Sequence, residues 1–214
     1  MNSQKTRVEK DGIAGSENAR LEAWRRLKEL TSDCRKCPLA EGRNNVVFGE
    51  GNPDADVMFI GEGPGGDEDE QGVPFVGRAG KLLTKILESV EISRKEIFIT
   101  NVVKCRPPGN RVPTMEEMTV CDEYLQAQIA LIKPKIIVCL GSTPTKWILR
   151  TTEGITKIRG RWFNWRNISV MPMFHPSYLL RNASTKVGSP KHQTWLDIQE
   201  VKKRWESLGR NSHE

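Results

Sequence analysis

Residues 114–149 read TMEEMTVCDEYLQAQIALIKPKIIVCLGSTPTKWIL, and this stretch decides the fold class of the chain. Its first part predicts a helix over 114–132, the apolar run IIVCL predicts a buried strand over 136–140, and a second helical pattern follows over 143–149. A strand between two helices, joined by short connections, is typical of an α/β protein with a parallel sheet covered on both faces.

The same alternation extends in both directions from this stretch. Three more short apolar segments predict buried strands, at 56–60, 97–101 and 168–173. Further helical patterns occur at 21–30, 79–90 and 190–208. In an open parallel sheet the functional groups collect in the loops after the carboxyl ends of the strands, so these loops are expected to carry the functional residues.

Length and composition indicate one domain. The chain has 214 residues, of which 37% are hydrophobic, and we expect a single domain over 21–208 with a flexible extension at 1–20 and a tail at 209–214. No apolar run approaches the roughly 20 residues that span a bilayer, and the polar start lacks the apolar segment of a signal peptide. We therefore expect an intracellular, cytoplasmic protein.

The charge is unevenly distributed. The net charge is +6, and residues 141–214 contain 13 Lys and Arg against 5 Asp and Glu. A basic C-terminal third favours an anionic partner such as nucleic acid, but a solvated basic surface gives the same count.

The loop after the first strand, residues 61–80, reads GEGPGGDEDEQGVPFVGRAG. Its glycines allow a ligand to approach the backbone closely. It is not a dinucleotide-binding fingerprint, because no helical pattern follows the glycines at once, and the acidic run 67–70 would repel a phosphate.

Two polar residues end other strands. Asn101 closes the second strand, where its amide could donate to one edge atom of a base and accept from the next. His175 follows the fourth strand in the run HPSYLLR, where it could stabilise negative charge on a leaving group. In that run Leu179, Leu180 and Arg181 place apolar groups beside a cation, a combination that suits a wedge entering a base stack, although paired leucines are more often core.

Four of the five cysteines form a candidate metal site. Cys34 and Cys37 form a C-x2-C turn, and Cys105 and Cys121 follow much later. Four such soft ligands can hold zinc or one 4Fe-4S cluster, and spacing alone does not choose between them. Cys139 lies inside an apolar strand and is expected to be a buried small side chain.

With these pieces in place, the chain resembles the family 4, thermostable iron-sulfur uracil-DNA glycosylases. The resemblance rests on GEGPG and PFVGRAG, TNVVKCRPP, HPSYLLR and SPKHQTWLDIQEV in this order, together with the four cysteines. It implies a three-layer α/β/α sandwich with a central four-stranded parallel sheet, and a 4Fe-4S cluster rather than zinc. It also implies hydrolysis of the N-glycosidic bond of uracil in DNA, the first step of base excision repair.

The resemblance assigns roles to individual residues. Uracil would lie against the backbone of Glu62 and Gly63, stacked on Phe75, with its edge read by Asn101 and its O2 facing His175. Glu68 would stand beside C5, where it would exclude the methyl group of thymine.

The catalytic water has no assigned partner in this pattern. Where better-known uracil-DNA glycosylases carry an aspartate that positions the water, this chain has Gly63, a departure that family 4 shares. Glu62 is the nearest carboxylate and the candidate for that task, and it is equally a candidate for a structural residue that offers only its backbone.

Two other functions compete with excision. One is a binder that traps uracil-DNA covalently, as a related iron-sulfur branch does with a histidine in an inserted loop. The corresponding residues 106–115, RPPGNRVPTM, contain no histidine, which favours turnover. The other is a noncatalytic iron-sulfur or zinc DNA-binding module, which would leave Phe75, Asn101 and His175 without a purpose.

We expect a monomer that acts on single- or double-stranded DNA, with any replication or repair partner unspecified.

Overall fold

The computed structural model describes residues 18–210. Helix α1 covers residues 18–32 of this part. The later helices are α2 (Leu39–Gly42), α3 (Gly66–Gln71), α4 (Arg78–Glu88), α5 (Met115–Ile132), α6 (Ser142–Leu149), α7 (Ile155–Ile158), α8 (Pro176–Arg181) and α9 (Pro190–Arg210). The strands are β1 (Glu50–Gly51), β2 (Val57–Gly61), β3 (Phe98–Asn101), β4 (Ile136–Leu140), β5 (Phe163–Trp165) and β6 (Ile168–Met173).

The strands form one sheet in the order β1-β3-β2-β4-β6-β5. The four inner strands are parallel and are the four that the sequence predicts, so the central parallel sheet is confirmed. The outer strands β1 and β5 pair antiparallel, and the sequence does not reveal them, because two or three residues are too few to show a period.

Both faces of the sheet are buried, which explains why its strands read as continuous apolar runs. Met58 and Ile60 of β2 face one core with α1, α5 and α6. Val57 and Phe59 of the same strand face a second core with α4 and α9. The result is the predicted three-layer sandwich, with the carboxyl ends of β2, β3, β4 and β6 at one edge.

Two segments that the sequence places in loops after strands contain short helices. Helix α8 begins at Pro176 with His175 as its N-cap, so the run HPSYLLR is helical. Helix α3 occupies the acidic run, and its Asp69 is buried and accepts hydrogen bonds from Asn44 rather than facing solvent. Proline at the first helical position and a preceding capping side chain are the local reasons for α8.

The ends of the domain differ slightly from the expected boundaries. Residues 18–20 are helical rather than part of an extension, and α9 continues to Arg210, past the expected end at 208. The rest of the predicted extension and tail, residues 1–17 and 211–214, lies outside the described residues. Among the helices of residues 18–210, none is both long and apolar enough to cross a membrane.

Candidate active site

A cavity of about 280 Å³ opens at the carboxyl ends of the parallel strands. It collects side chains and backbone from the loops after β2, β3 and β6, as the topology requires. All six residues that were predicted to contact a base line this one cavity: Glu62, Gly63, Glu68, Phe75, Asn101 and His175.

Asn101 lines the cavity and carries an unpaired acceptor. The side chain is 1% exposed, and its Oδ1 atom has no hydrogen-bond partner among the described residues. It lies against Gly61, where a Cβ would come within 2.3 Å of that oxygen. A buried acceptor without a partner costs about 1 to 3 kcal/mol, so a ligand that brings an N–H group to this point recovers that energy.

His175 is held in one tautomer. The backbone amide of Ser177 donates to Nδ1 of His175 at 3.1 Å, and the Ser177 hydroxyl lies 2.8 Å from the same atom. Because Nδ1 accepts from the amide, the proton of the neutral ring is on Nε2. Burial, with a smaller contribution from Arg181, lowers the pKa of His175 to about 4, so the ring is a neutral Nε2–H donor at physiological pH.

Phe75 forms one wall of the cavity in a strained conformation. Its φ is +54°, which is rare for a bulky residue, and the residue is 6% exposed. The ring centroid lies 5.7 Å from that of His175, and a Cβ on Gly61 would approach the ring to 2.7 Å. Glycine at position 61 therefore lets the Phe75 ring and the Asn101 amide meet at the cavity floor.

Glu68 holds the loop that carries Phe75. Its Oε1 atom accepts hydrogen bonds from the amides of Val76 and Gly77, both at 2.9 Å, and its Oε2 accepts from the amide of Gly65 at 3.1 Å. Three amide donors fix this carboxylate in place, so Glu68 is an ordered part of the wall rather than one more solvated acid.

Glu62 is also held by a side chain that sequence reasoning missed. The hydroxyl of Thr143, at the start of α6, donates to its carboxylate. Glu62 lines both the first cavity and a neighbouring one of about 420 Å³, which also contains Tyr178 and Arg181. The two cavities share Glu62, Asn110, His175 and Ser177, so the carboxylate and the imidazole stand where they meet.

Two further residues that line the first cavity were also not predicted from the sequence. Asn110 and Arg111 reach the first cavity from the 3-10 helix region after β3. Arg111 is anchored by two hydrogen bonds to the buried carboxylate of Glu117. Neither contact has a periodic signal in the sequence, because both depend on how an irregular loop folds back on the site.

The structure corrects the prediction for the paired leucines. Leu179 is 1% exposed and packs inside the protein, so it is not available as a wedge. Leu180 is 37% exposed and is followed by the exposed Arg181. The helical conformation of α8 separates the two side chains onto different faces, which the sequence alone did not resolve.

The four candidate metal ligands converge. Cys34, Cys37, Cys105 and Cys121 line one small cavity, while the fifth cysteine, Cys139, is buried in β4 as expected. Within residues 18–210, no group of three or more His, Cys, Asp or Glu side chains is arranged as a ready site for a metal ion. The cavity that the four cysteines line lies between α1, α2, the loop after β3 and α5.

The donors around these sulfurs suit thiolates. Arg43 donates to Sγ of Cys105 at 3.4 Å, and the amide of Lys104 donates to Sγ of Cys121 at 3.3 Å. Burial raises the pKa of the Cys121 thiol to about 11, and the nearby Lys104 ammonium acts against that rise. Hydrogen bonds and cations directed at sulfur stabilise the charged form that binds metal, so the donor set fits a thiolate-ligated group.

Lys104 connects this cysteine cavity to the active-site strand. Lys104 is 1% exposed, and its ammonium group donates to Thr100 Oγ1 at 2.6 Å, to the carbonyl of Asn101 at 2.8 Å and to Gln128 Oε1 at 2.7 Å. Burial lowers the pKa of Lys104 to about 8. A fully bonded cation therefore lies between the cysteines and the backbone of Asn101.

Comparison with known proteins identifies the family of this chain. A family model described as the uracil DNA glycosylase superfamily matches residues 48–199. The chain is 50% identical over 163 residues to a type-4 uracil-DNA glycosylase of Thermotoga maritima, covering 75% of this chain and 85% of the relative. It is 45% identical to the enzyme of the same name from Sulfurisphaera tokodaii, covering 78% and 80%. It is 47% identical to that from Saccharolobus solfataricus, covering 70% and 73%.

Proposed function

Since this chain belongs to the type-4 uracil-DNA glycosylases of the uracil DNA glycosylase superfamily, we propose that its cavity receives a uracil flipped out of DNA and that its side chains hydrolyse the N-glycosidic bond. The products are free uracil and an abasic site. The observation that carries this proposal is the meeting of an unpaired buried Asn101 acceptor and a neutral His175 donor in one cavity.

Recognition of the uracil edge follows from the amide of Asn101. Oδ1 of Asn101 accepts the N3–H of uracil, and cytosine has no proton at that position. The amide group of Asn101 donates to O4, where cytosine instead has an amino group. A site built around a specific hydrogen-bond pattern rejects a base that leaves its groups unpaired, so Asn101 selects uracil over cytosine.

The cavity walls provide the remaining discrimination. The ring of Phe75 stacks on the flipped base, and the backbone of Glu62 and Gly63 contacts its edge. The carboxylate of Glu68, fixed by three amides, lies beside C5 and leaves no room for the methyl group of thymine.

His175 stabilises the leaving group. As the glycosidic bond breaks, the sugar becomes an oxocarbenium-like cation and uracil departs as an anion. Nε2–H of His175 donates to O2 as the negative charge develops, and a donor placed in this way is worth about 2.7 to 4 kcal/mol. A neutral ring with the proton already on Nε2 performs this task without a change of protonation state.

Glu62 orients the attacking water. Its carboxylate stands at the junction of the two cavities, fixed by Thr143, and no aspartate is present at position 63 to perform this task. A carboxylate that accepts a hydrogen bond from water directs the oxygen lone pair toward the anomeric carbon. As the C–O bond forms, the water loses a proton to the carboxylate, and the uracil anion takes up a proton in turn and leaves as neutral uracil.

DNA contacts come from the edge of the same site. Leu180 and Arg181 follow His175 on α8, with Leu180 exposed to fill the space that the flipped base leaves and Arg181 exposed to contact a phosphate. The basic C-terminal third supplies the general attraction to DNA.

The four cysteines fit a 4Fe-4S cluster. Cys34, Cys37, Cys105 and Cys121 would hold it, and its role there is to fix the N-terminal segment to the core, because hydrolysis requires no electron transfer. The cysteines come from three separate parts of the fold, namely the connection between α1 and α2, the loop after β3 and helix α5, so one cluster would tie these three parts together.

The test is excision from oligonucleotides that contain one uracil, thymine or cytosine at the same position, followed by alkali cleavage. Cleavage with uracil only, in single strands and duplexes, is the expected result. Cleavage of none of them would contradict the proposal. A protein-DNA adduct that survives a denaturing gel would show trapping in place of turnover.

A further inference from the structure

The uracil-stacking wall depends on a side chain outside the cavity. Arg94 lies in the turn between α4 and β3 and is not among the residues that line either active-site cavity. Its Nη1 atom donates to the carbonyl of Phe75 at 3.0 Å, and its Nη2 donates to the carbonyl of Pro74 at 2.8 Å. The planar guanidinium thus spans two successive carbonyls of the segment that carries the ring.

The segment needs such support because Phe75 is strained. A left-handed conformation costs a residue with a side chain about 1 to 2 kcal/mol, and φ at Phe75 is +54°. Strained residues of this kind persist only where their surroundings hold them, and they concentrate at functional sites.

Three contacts hold the segment from three directions. Glu68 accepts from the amides that follow Phe75, at Val76 and Gly77. Gly80 of α4 lies directly against the Phe75 carbonyl, where a Cβ would come within 1.9 Å. Arg94 holds the two carbonyls from the outside, and its own position is fixed by an ion pair with Glu50 of β1 at 2.9 Å.

We propose that Arg94 is a positioning residue for excision, which holds the strained Phe75 ring in the orientation that stacks on uracil. It acts through Phe75 and touches no substrate. The inference rests on the proposed function, because it assigns Arg94 to the stacking wall of that same site. Lysine cannot replace it fully, since a single ammonium does not present two parallel donors to two carbonyls.

The experiment compares the full-length wild type, Arg94→Met, Arg94→Lys and a matched control, Lys95→Met. Lys95 is the next residue and is exposed, and among the described residues its side chain makes no hydrogen bond or ion pair with residues 74–77, so its substitution makes the same charge change without touching the segment. Single-turnover excision of uracil is measured for each, and also in a Phe75→Leu background.

Arg94→Met is expected to slow excision by about tenfold or more, because small misplacements of a contact group have large effects on rate. Arg94→Lys should fall between it and the wild type, and Lys95→Met should match the wild type. In the Phe75→Leu background the effect of Arg94→Met should shrink to about threefold or less, since the ring it positions is gone.

A folded Arg94→Met enzyme within about twofold of the wild type would overturn the inference. An equal effect in both backgrounds would overturn it too, because Arg94 would then act by another route. If Arg94→Met does not fold, Arg94→Lys is judged by the same comparison.

Hydrogen exchange separates this inference from the proposed function. An inactive wild type would contradict the glycosylase proposal alone. Hydrogen exchange at the amides of Val76 and Gly77 would then test whether Arg94 holds the segment that carries Phe75. Faster exchange in Arg94→Met than in Lys95→Met supports it, and equal exchange overturns it.

Discussion

The hydroxyl of Thr143 donates a hydrogen bond to the carboxylate of Glu62, and the two residues are 81 positions apart in the chain. Thr143 belongs to the first turn of α6, after β4, and Glu62 to the loop after β2. The contact joins the ends of two neighbouring parallel strands and fixes the only active-site carboxylate that stands where the two described cavities meet.

Replacing Thr143 with Val is therefore expected to lower the single-turnover rate of uracil excision. The isosteric side chain leaves the Glu62 carboxylate without its donor, and one hydrogen bond to a charged group is worth about 1.5 to 3 kcal/mol, or about tenfold to a hundredfold in rate. Thr143→Ser keeps the hydroxyl and should retain most of the activity. Equal rates for the Val and Ser variants would show that the hydroxyl does not matter.

The two leucines of α8 should separate stability from DNA contact. Leu179→Ala removes a buried side chain and is expected to lower the free energy of unfolding by about 2 to 5 kcal/mol. Leu180→Ala should leave stability nearly unchanged and slow excision from duplex DNA more than from single strands, because only the duplex requires a wedge. Denaturant unfolding and single-turnover rates on both substrates measure the two effects. A large loss of stability in Leu180→Ala and none in Leu179→Ala would contradict the exposures of the two side chains.

The protonation of His175 predicts a pH dependence of stability. The pKa of this ring is lowered from 6.5 to about 4 in the folded protein, so the unfolded chain binds more protons between those values. The folded state therefore loses stability as pH falls from 6.5 toward 4, by roughly 2 kcal/mol between pH 7 and 4.5. Unfolding of the wild type and of His175→Asn at both pH values isolates this contribution. An identical change in the two proteins would show that His175 does not titrate as proposed.

The proposed cluster site predicts which cysteines control the iron content of the protein. Cys121→Ala is expected to lose iron and acid-labile sulfide, because one of the four ligands is removed. Cys139→Ala is the matched control, since Cys139 is buried in β4 and does not line the cysteine cavity. Iron and sulfide content per chain is the measurement. Equal content in both variants would refute the ligand assignment, and zinc in place of iron would refute the cluster.

Much of this arrangement was readable in the sequence for a physical reason. A parallel strand buried on both faces must be apolar throughout, so 136–140 and 168–173 were located by composition alone, and Asn101 and His175 stood out as the polar residues that ended such runs. The topology of a parallel sheet then required their loops to meet at one edge.

The remaining features depend on contacts between distant positions. The three amides on Glu68, the Arg94 contact with Phe75, and the Thr143 contact with Glu62 leave no periodic trace in the sequence. The burial of Leu179 depended on helix α8, a segment too short for its pattern to be distinguished from a turn. Uracil and iron were indicated by the family resemblance, because a four-cysteine site and an oriented amide are each compatible with other ligands.

The most direct test of the account is single-turnover excision of uracil from one defined oligonucleotide by the wild type, His175→Ala and the control His192→Ala. Removal of the neutral Nε2–H donor should slow excision by about a hundredfold to a thousandfold, while His192, which lies on α9 and lines neither active-site cavity, should be dispensable. A folded His175→Ala enzyme that excises uracil at the wild-type rate would contradict the central claim that His175 stabilises the departing uracil anion.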